Sequence, residues 1–441
     1  MIYFRAKPLT MKRILLLSAL LLTSISFSQE IPKCLSHEAI KYQESLTPGF
    51  ESQVNKVFNT AKNKGILPNQ KTGNHVIPVV VHVVYNLPEA NLPDSVIFNQ
   101  IAVLNEDYNR LNADTVNMRS DFDIVKGSPN ITFVLAQIDE LGAPTNGITR
   151  TQTATTTFGS LGILTGDFTD LEKVKSTVDG GSDPWDQSRY LNIWVCDMSV
   201  FGITALLGYA TPPAGLPNWP AGSTNGLSDG VVIQYQAFGS NNPVPLDPGG
   251  GPIDVMGRTA THEVGHYLGL RHIWGDGDCT AQDGIDDTPN ADAQSDQDCD
   301  PSKNTCADNI QTVDLPDMIE NFMDYSAETC QNSFTTGQAS LILGVLESER
   351  YDLVHGNPAS IEAQDLTSFK MYPNPSNSNL TLEFNGELEA ISIVDIYGKS
   401  ALQVANPQSG LLLDVSNLAN GVYFVSYELD GAIQSERFIK Q

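Results

Sequence analysis

Residues 261–272 read Thr261-His262-Glu263-Val264-Gly265-His266-Tyr267-Leu268-Gly269-Leu270-Arg271-His272. On a helix, His262 and His266 stand one turn apart and project from the same face, so both imidazoles reach one zinc ion while Glu263 flanks the remaining coordination position. A third nitrogen from the next turn of that face would crowd the other two. Gly269 removes the conflict: it stops the helix and swings the chain back, so that His272 completes the set. The pattern predicts a three-histidine zinc centre with Glu263 as general base and acid. Zinc in such a centre lowers the pKa of its water to about 7 and polarises a carbonyl, chemistry suited to amide hydrolysis. An amphipathic helix with Val264, Tyr267 and Leu268 in the core explains the apolar positions. It does not explain why three of the chain's seven histidines fall at ligand spacing.

The stretch resembles the extended zinc signature of the metzincin metallopeptidases. These carry a methionine in a tight turn beneath the metal, and Glu320-Asn321-Phe322-Met323-Asp324-Tyr325-Ser326 resembles that turn, with Met323 as its methionine. The thioether would be a soft floor under the imidazoles, not a ligand. By the same resemblance Tyr325 binds zinc in the resting enzyme or hydrogen-bonds the oxyanion during turnover; core packing is the plainer reading of both side chains. Within the metzincins the sequence is most similar to the pappalysin branch and its ulilysin-like bacterial members. The likeness runs from about Val76 to His355 and takes in Tyr190-Leu191-Asn192-Ile193-Trp194-Val195-Cys196 and Leu207-Gly208-Tyr209-Ala210.

Four of the six cysteines, Cys279, Cys299, Cys306 and Cys330, cluster after the zinc motif. In an exported chain this suggests two disulfides, and spacing alone permits three pairings. The resemblance implies Cys279 with Cys306 and Cys299 with Cys330. A structural zinc site is disfavoured, since no Cys-x-x-Cys pair is present. Export is read from Lys12-Arg13, the apolar run Ile14 to Phe27 and Ser26-Phe27-Ser28, which form a signal peptide over residues 1–28, with Met11 as an alternative start. That run is too short to span a bilayer, so no transmembrane segment is expected.

With 52 acidic against 25 basic residues the formal charge is −27, which disfavours nucleic acid. Nine aspartates and no Lys or Arg lie between Asp276 and Asp300. Such a run is ordinarily a solvated loop. In an exported, disulfide-bridged insert its carboxylates also suit calcium, and the resemblance carries Asp283, then Asp287 and Thr288, forward as calcium ligands.

Residues 29–73 are polar and helix-leaning and resemble a short pro-segment. In related zymogens a cysteine thiolate fills the fourth position on zinc, and Cys34 is the only cysteine upstream of the catalytic region, although the glycine that often follows such a switch cysteine is missing from Ile31-Pro32-Lys33-Cys34-Leu35-Ser36. Cys196 reads as a buried small hydrophobe.

The catalytic region, 74–357, begins with the β-branched run Val76 to Tyr85, which predicts a central strand. A helix is expected from Asp94 to Arg110, strands over Ile131 to Ile138 and Leu191 to Val195, a weaker helix over Glu172 to Val178, and an edge strand over Leu206 to Ala210 able to pair with extended substrate. The fold class is therefore α+β. An α/β-type upper subdomain with a twisted mixed sheet stands over an irregular, disulfide-bridged lower one. His82, inside the first strand, reads as structural.

After a linker at 358–366, residues 367–441 show short alternating strands around Leu380 to Phe384, Ala390 to Tyr397, Leu411 to Val415 and Val422 to Leu429, predicting an all-β sandwich. Tyr372-Pro373-Asn374-Pro375, Asp395-Ile396-Tyr397-Gly398-Lys399, Leu418-Ala419-Asn420-Gly421-Val422-Tyr423 and Lys440 resemble the C-terminal sorting domain of type IX secretion cargo. An accessory binding module is the alternative. The whole implies a secreted or surface-attached zinc endopeptidase, exported through the periplasm as a zymogen, with protein or peptide substrates and the type IX machinery as partners. The resemblance also implies a basic residue on the prime side of the cut, which an acidic pocket near Glu328 would support. A binding protein with structural zinc is disfavoured by Glu263, which such a site does not need; a zinc amidase acting on non-protein substrates shares all these residues.

Overall fold

The computed structural model describes residues 33–68, 75–204, 206–214, 226–248, 251–295, 297–356, 369–384, 388, 390–395, 399–429 and 432–441. The signal peptide at 1–28 and the linker at 358–366 lie outside the described residues.

Val76–Tyr85 (β1) is almost entirely apolar, as a strand must be when both its faces are covered. Thr132–Leu135 (β2) and Ile148–Gln152 (β3) pair in succession along one side of it, and Leu191–Cys196 (β4) pairs along the other. Val231–Gln234 (β6) follows β4, and Gly208–Ala210 (β5) forms the edge. Every pairing is parallel except β5 with β6. Parallel pairing requires crossovers, and Asp94–Tyr108 (α3) supplies the one between β1 and β2, burying Val96, Ile97 and Leu104.

One core joins α3, the inner residues Val79, Val81 and Val83 of β1, Arg258–Tyr267 (α4) and Thr336–Leu346 (α5). The first turn of α5 is fixed by a capping box between Thr335 and Gln338. A second core, holding Trp194, Cys196, Tyr209 and Val232, is covered by Ala39 of Ser36–Leu46 (α1) and by Phe50 and Val54 of Phe50–Lys64 (α2). The N-terminal helices thus complete the burial of the sheet.

Below α4 the chain from Leu268 to Ser333 contains no helix or extended strand among the described residues. It is held by disulfides Cys279–Cys306 and Cys299–Cys330, with Cα separations of 5.5 and 6.0 Å. Residues 369–441 form two antiparallel sheets of three and four strands around Leu380, Leu382, Ile391, Ile393 and Val425, which is the expected sandwich.

Two local expectations are corrected. Glu172 to Val178 is not a helix. A single turn, Thr169–Glu172, passes into short 3₁₀ turns at Lys173–Lys175 and Thr177–Asp179, where the β-branched residues Val174, Thr177 and Val178 disfavour continuation and the Ser182 N–H closes onto the Val174 carbonyl. The strand expected over Ile131 to Ile138 is confined to Thr132–Leu135, because the chain turns away once the Ala136 N–H has bonded the Val79 carbonyl.

Candidate active site

The zinc-motif helix α4 starts after Gly257, and its first N–H groups are capped from a distance. The Glu328 carboxylate accepts from the backbone of Met256, Arg258 and Thr259 and from the Thr259 hydroxyl, at 2.6–3.1 Å. The helix ends in a Schellman turn. Gly269, at φ +95°, gives its N–H to His266 O, and the Leu270 N–H bonds Gly265 O, both at 2.9 Å. This reversal brings His272 back towards the helix.

All three histidines are buried. His262 Nδ1 lies 2.7 Å from Phe322 O, His266 Nδ1 2.9 Å from Leu270 O, and His272 Nδ1 2.5 Å from Asp276 Oδ1. Carbonyl and carboxylate oxygens only accept, so each Nδ1 carries the proton and each Nε2 presents a lone pair. Those lone pairs converge: His266 Nε2 is 3.0 Å from His262 Nε2 and 3.1 Å from His272 Nε2. Three facing lone pairs repel unless a cation lies among them, so the donor set fits zinc. Burial, and then the adjacent imidazoles, hold His262 and His266 far below the usual histidine range, which keeps them in the neutral, ligating form. Burial acts to raise Asp276, but the neighbouring His272 and His37 bring it down to about 2, an ionised acceptor for His272.

Met323 lies beneath. A Cβ on Gly265 would come within 2.5 Å of its sulfur, so that glycine lets the methionine pack directly against the helix. Above, the edge strand approaches as closely: a Cβ on Gly208 would stand 2.7 Å from Glu263 Cγ. Glu263 is fully buried, and desolvation pushes its carboxyl up to about 8, while a cation held by the imidazoles acts in the opposite sense.

The N-terminal segment occupies this site. Cys34 Sγ and the three histidine nitrogens all lie within 4.8 Å of one another. The segment pairs in parallel with β5: Leu207 N–H bonds Lys33 O and Leu35 N–H bonds Gly208 O, both at 3.3 Å. Cys34 Sγ is 3.2 Å from Glu263 Oε2, and the Ser36 hydroxyl donates to the same oxygen at 3.0 Å while accepting from Ala210 N–H at 2.9 Å. The Tyr325 hydroxyl donates to Cys34 O at 3.0 Å. Lys33 is buried with its ammonium 3.1 Å from Ser326 O; burial lowers its pKa, and Glu328 and Asp324 oppose that. Sequence reasoning singled out Cys34 but missed Lys33, Ser36 and His37, the last 3.3 Å from Asp276. Only their nearness to Cys34 pointed to them.

Glu328 differs from its expected part in one respect. Both its oxygens are taken up by the start of α4, so it lends charge to the Lys33 recess but no free hydrogen-bonding oxygen.

In the insert, Asp283 Oδ2, Asp287 Oδ1 and Thr288 Oγ1 are buried and make no hydrogen bond of good geometry among the described residues, although the Thr288 hydroxyl stands near enough to Asp283 to favour its charged form. Desolvation, with the Asp287 charge acting in the same direction, raises Asp283 to about 7. Buried oxygens without such bonds suit a hard cation.

Two family models match the chain: residues 253–347 match one described as pregnancy-associated plasma protein-A, and residues 370–441 match a secretion system C-terminal sorting domain. Mature mirolysin of Tannerella forsythia, solved with a cleaved peptide, is 40% identical, with 68% of this chain and 100% of that one aligned at a TM-score of 0.54. The chain belongs to the pappalysin family of metzincin metallopeptidases. A promirolysin mutant from the same organism aligns with this pappalysin at 37% identity over 73% of the chain and 97% of its own, at a TM-score of 0.60. Curated relatives include extracellular metalloproteases of Verticillium alfalfae, 37% identical over 31% of this chain and 44% of its own, and of Arthroderma benhamiae, 42% identical over 22% and 34%. The pappalysin thus spans less than half the length of these curated relatives. Its sorting tail and extracellular relatives mark it as an exported or surface-attached protein. Among the described residues no helix is long and apolar enough to cross a membrane.

Proposed function

We propose that this protein is a secreted zinc-dependent endopeptidase, held latent by residues 29–73 and routed outward by residues 367–441 through the type IX machinery. The observation that carries the reading is the convergence of three proton-free Nε2 atoms beside the buried carboxylate of Glu263. His262, His266 and His272 would hold the ion. Zinc there supplies Lewis acidity that activates water and polarises a carbonyl. Glu263 takes the proton from water and returns it to the leaving amine. β5 holds the substrate backbone by strand addition, and Tyr325, its hydroxyl released from Cys34 O, donates to the developing oxyanion.

Latency rests on the same atoms. Burial, followed by repulsion from Glu263, raises the Cys34 thiol well above its ordinary pKa, so it becomes a thiolate only against a cation. Lys33 fills the recess beside Ser326, with the charges of Asp324 and Glu328 nearby, which supports a preference for Arg or Lys on the prime side. Asp283, Asp287 and Thr288 would hold calcium and brace the insert. Mirolysin's cleaved peptide supports a peptidase over an amidase acting on other substrates.

The test is removal and return of the metal. Chelation should abolish cleavage of denatured protein by the processed enzyme, and zinc should restore it; cleavage that persists in zinc-free enzyme contradicts the reading.

A further inference from the structure

Three of the seven histidines belong to the centre described above; two of the others meet elsewhere. His75 immediately precedes β1, Glu347 follows the last residue of α5, and His355 ends the short helix Tyr351–His355. His75 Nε2 lies 2.5 Å from Glu347 Oε1, and His355 Nε2 lies 3.2 Å from the same oxygen. The three candidate ligand atoms are within 4.8 Å of one another. Burial is graded, with side-chain exposures of 3% for His75, 25% for Glu347 and 37% for His355, so the group opens to solvent on one side. Glu347 Oε1 only accepts, so the Nε2 atoms facing it carry protons that a metal ion would displace; the buried His75 Nδ1 has no hydrogen-bond partner among the described residues and is free to take up the proton that its Nε2 gives up.

Two imidazoles and one carboxylate are the donor set of an open zinc site, and borderline divalent ions are the class that such donors prefer. Bonds of about 2.0–2.2 Å to zinc put neighbouring ligand atoms roughly 3.2–3.5 Å apart. Entry of an ion therefore asks for a small outward shift of Glu347, whose side chain is partly exposed.

We propose that His75, Glu347 and His355 form a second, solvent-facing transition-metal site that clasps the two ends of the catalytic unit. The chain enters that unit at His75 and leaves it at His355. The His75 carbonyl accepts from Thr132 N–H at 2.9 Å, so the clasp would also anchor the first pairing of β1 with β2. A cut on the N-terminal side of His75 would then leave the start of β1 tied down. The inference stands independently of the proposed peptidase activity.

The test uses the full chain carrying Glu263→Ala, so that no self-cleavage intervenes, with further His355→Ala or Glu347→Gln substitutions, zinc counted by elemental analysis and titrated by calorimetry. Two zinc equivalents are expected in the parent and one in each further variant, with added zinc raising the melting temperature of the parent further than that of the variants. Circular dichroism without metal confirms that the variants fold. A zinc content that is the same in the parent and in both further variants overturns the proposal.

Discussion

The Ser36 hydroxyl donates a 3.0 Å hydrogen bond to Glu263 Oε2, the oxygen that Cys34 Sγ also faces at 3.2 Å. The N-terminal segment therefore reaches the proposed base as well as the metal position, and latency has two chemical parts. Cys34→Ala should shorten the lag before self-processing several-fold, and Ser36→Ala should shorten it less, since it loses the hydrogen bond to charged Glu263, of about 1.5–3 kcal/mol, and the one from Ala210 N–H but keeps the thiol. The double variant should have the shortest lag. Time courses on gels read this directly; a lag unchanged in Cys34→Ala removes the switch.

Lys33 marks a recess for a basic side chain. A peptide library digested by the processed enzyme should yield products enriched in Arg or Lys immediately after the cut. Asp324→Asn, which keeps the size and removes a buried charge near the Lys33 ammonium, should reduce that enrichment about tenfold or more. Cleavage sites without basic enrichment contradict this assignment of the recess.

Calcium should stabilise the insert. With Asp283 Oδ2, Asp287 Oδ1 and Thr288 Oγ1 buried and without hydrogen bonds of good geometry, millimolar calcium should raise the melting temperature by several degrees, as expected when a ligand binds only the folded state. Asp283→Asn should abolish that rise while leaving zinc content unchanged. An equal rise in both proteins would show that calcium binds elsewhere.

His82 gives the sheet a pH limit. It is buried in β1 between Thr149 Oγ1 at 2.8 Å and Asn192 Oδ1 at 2.9 Å, and desolvation lowers its pKa to about 4. The unfolded chain takes up a proton at this residue below about 6.5 and the folded one does not until about 4. Stability is therefore full above that upper value and falls as pH drops through the window, by up to roughly 3 kcal/mol. Denaturant midpoints for wild type and His82→Gln should converge between pH 7 and 4; parallel pH profiles contradict it.

The zinc helix was legible because its chemistry and its geometry coincide: ligand spacing, a base and a helix-stopping glycine occupy twelve consecutive residues. β1 was equally plain, since burial on both faces writes a continuous β-branched run. Ile148–Gln152 was not, because this edge strand is polar after Ile148, with half-exposed Thr149 and Thr151 alternating with exposed Arg150 and Gln152, and resembles a loop. The Glu328 cap was hidden for a different reason. Its partners lie about seventy residues earlier in the chain, and no local pattern shows that a carboxylate after the Met-turn closes the N-terminus of the zinc helix. Ser36 and Lys33 were likewise invisible until strand addition to β5 fixed which way each residue around Cys34 faces.

The most direct measurement is cleavage of denatured protein by the processed enzyme and by Glu263→Ala, with zinc content determined in both. The account predicts one zinc at the three-histidine centre in each protein and a fall in kcat of at least about a thousandfold in the variant, the scale of losing both general base and acid. A variant that keeps its zinc and cleaves at the parental rate would contradict the assignment of Glu263 and the chemistry built on it.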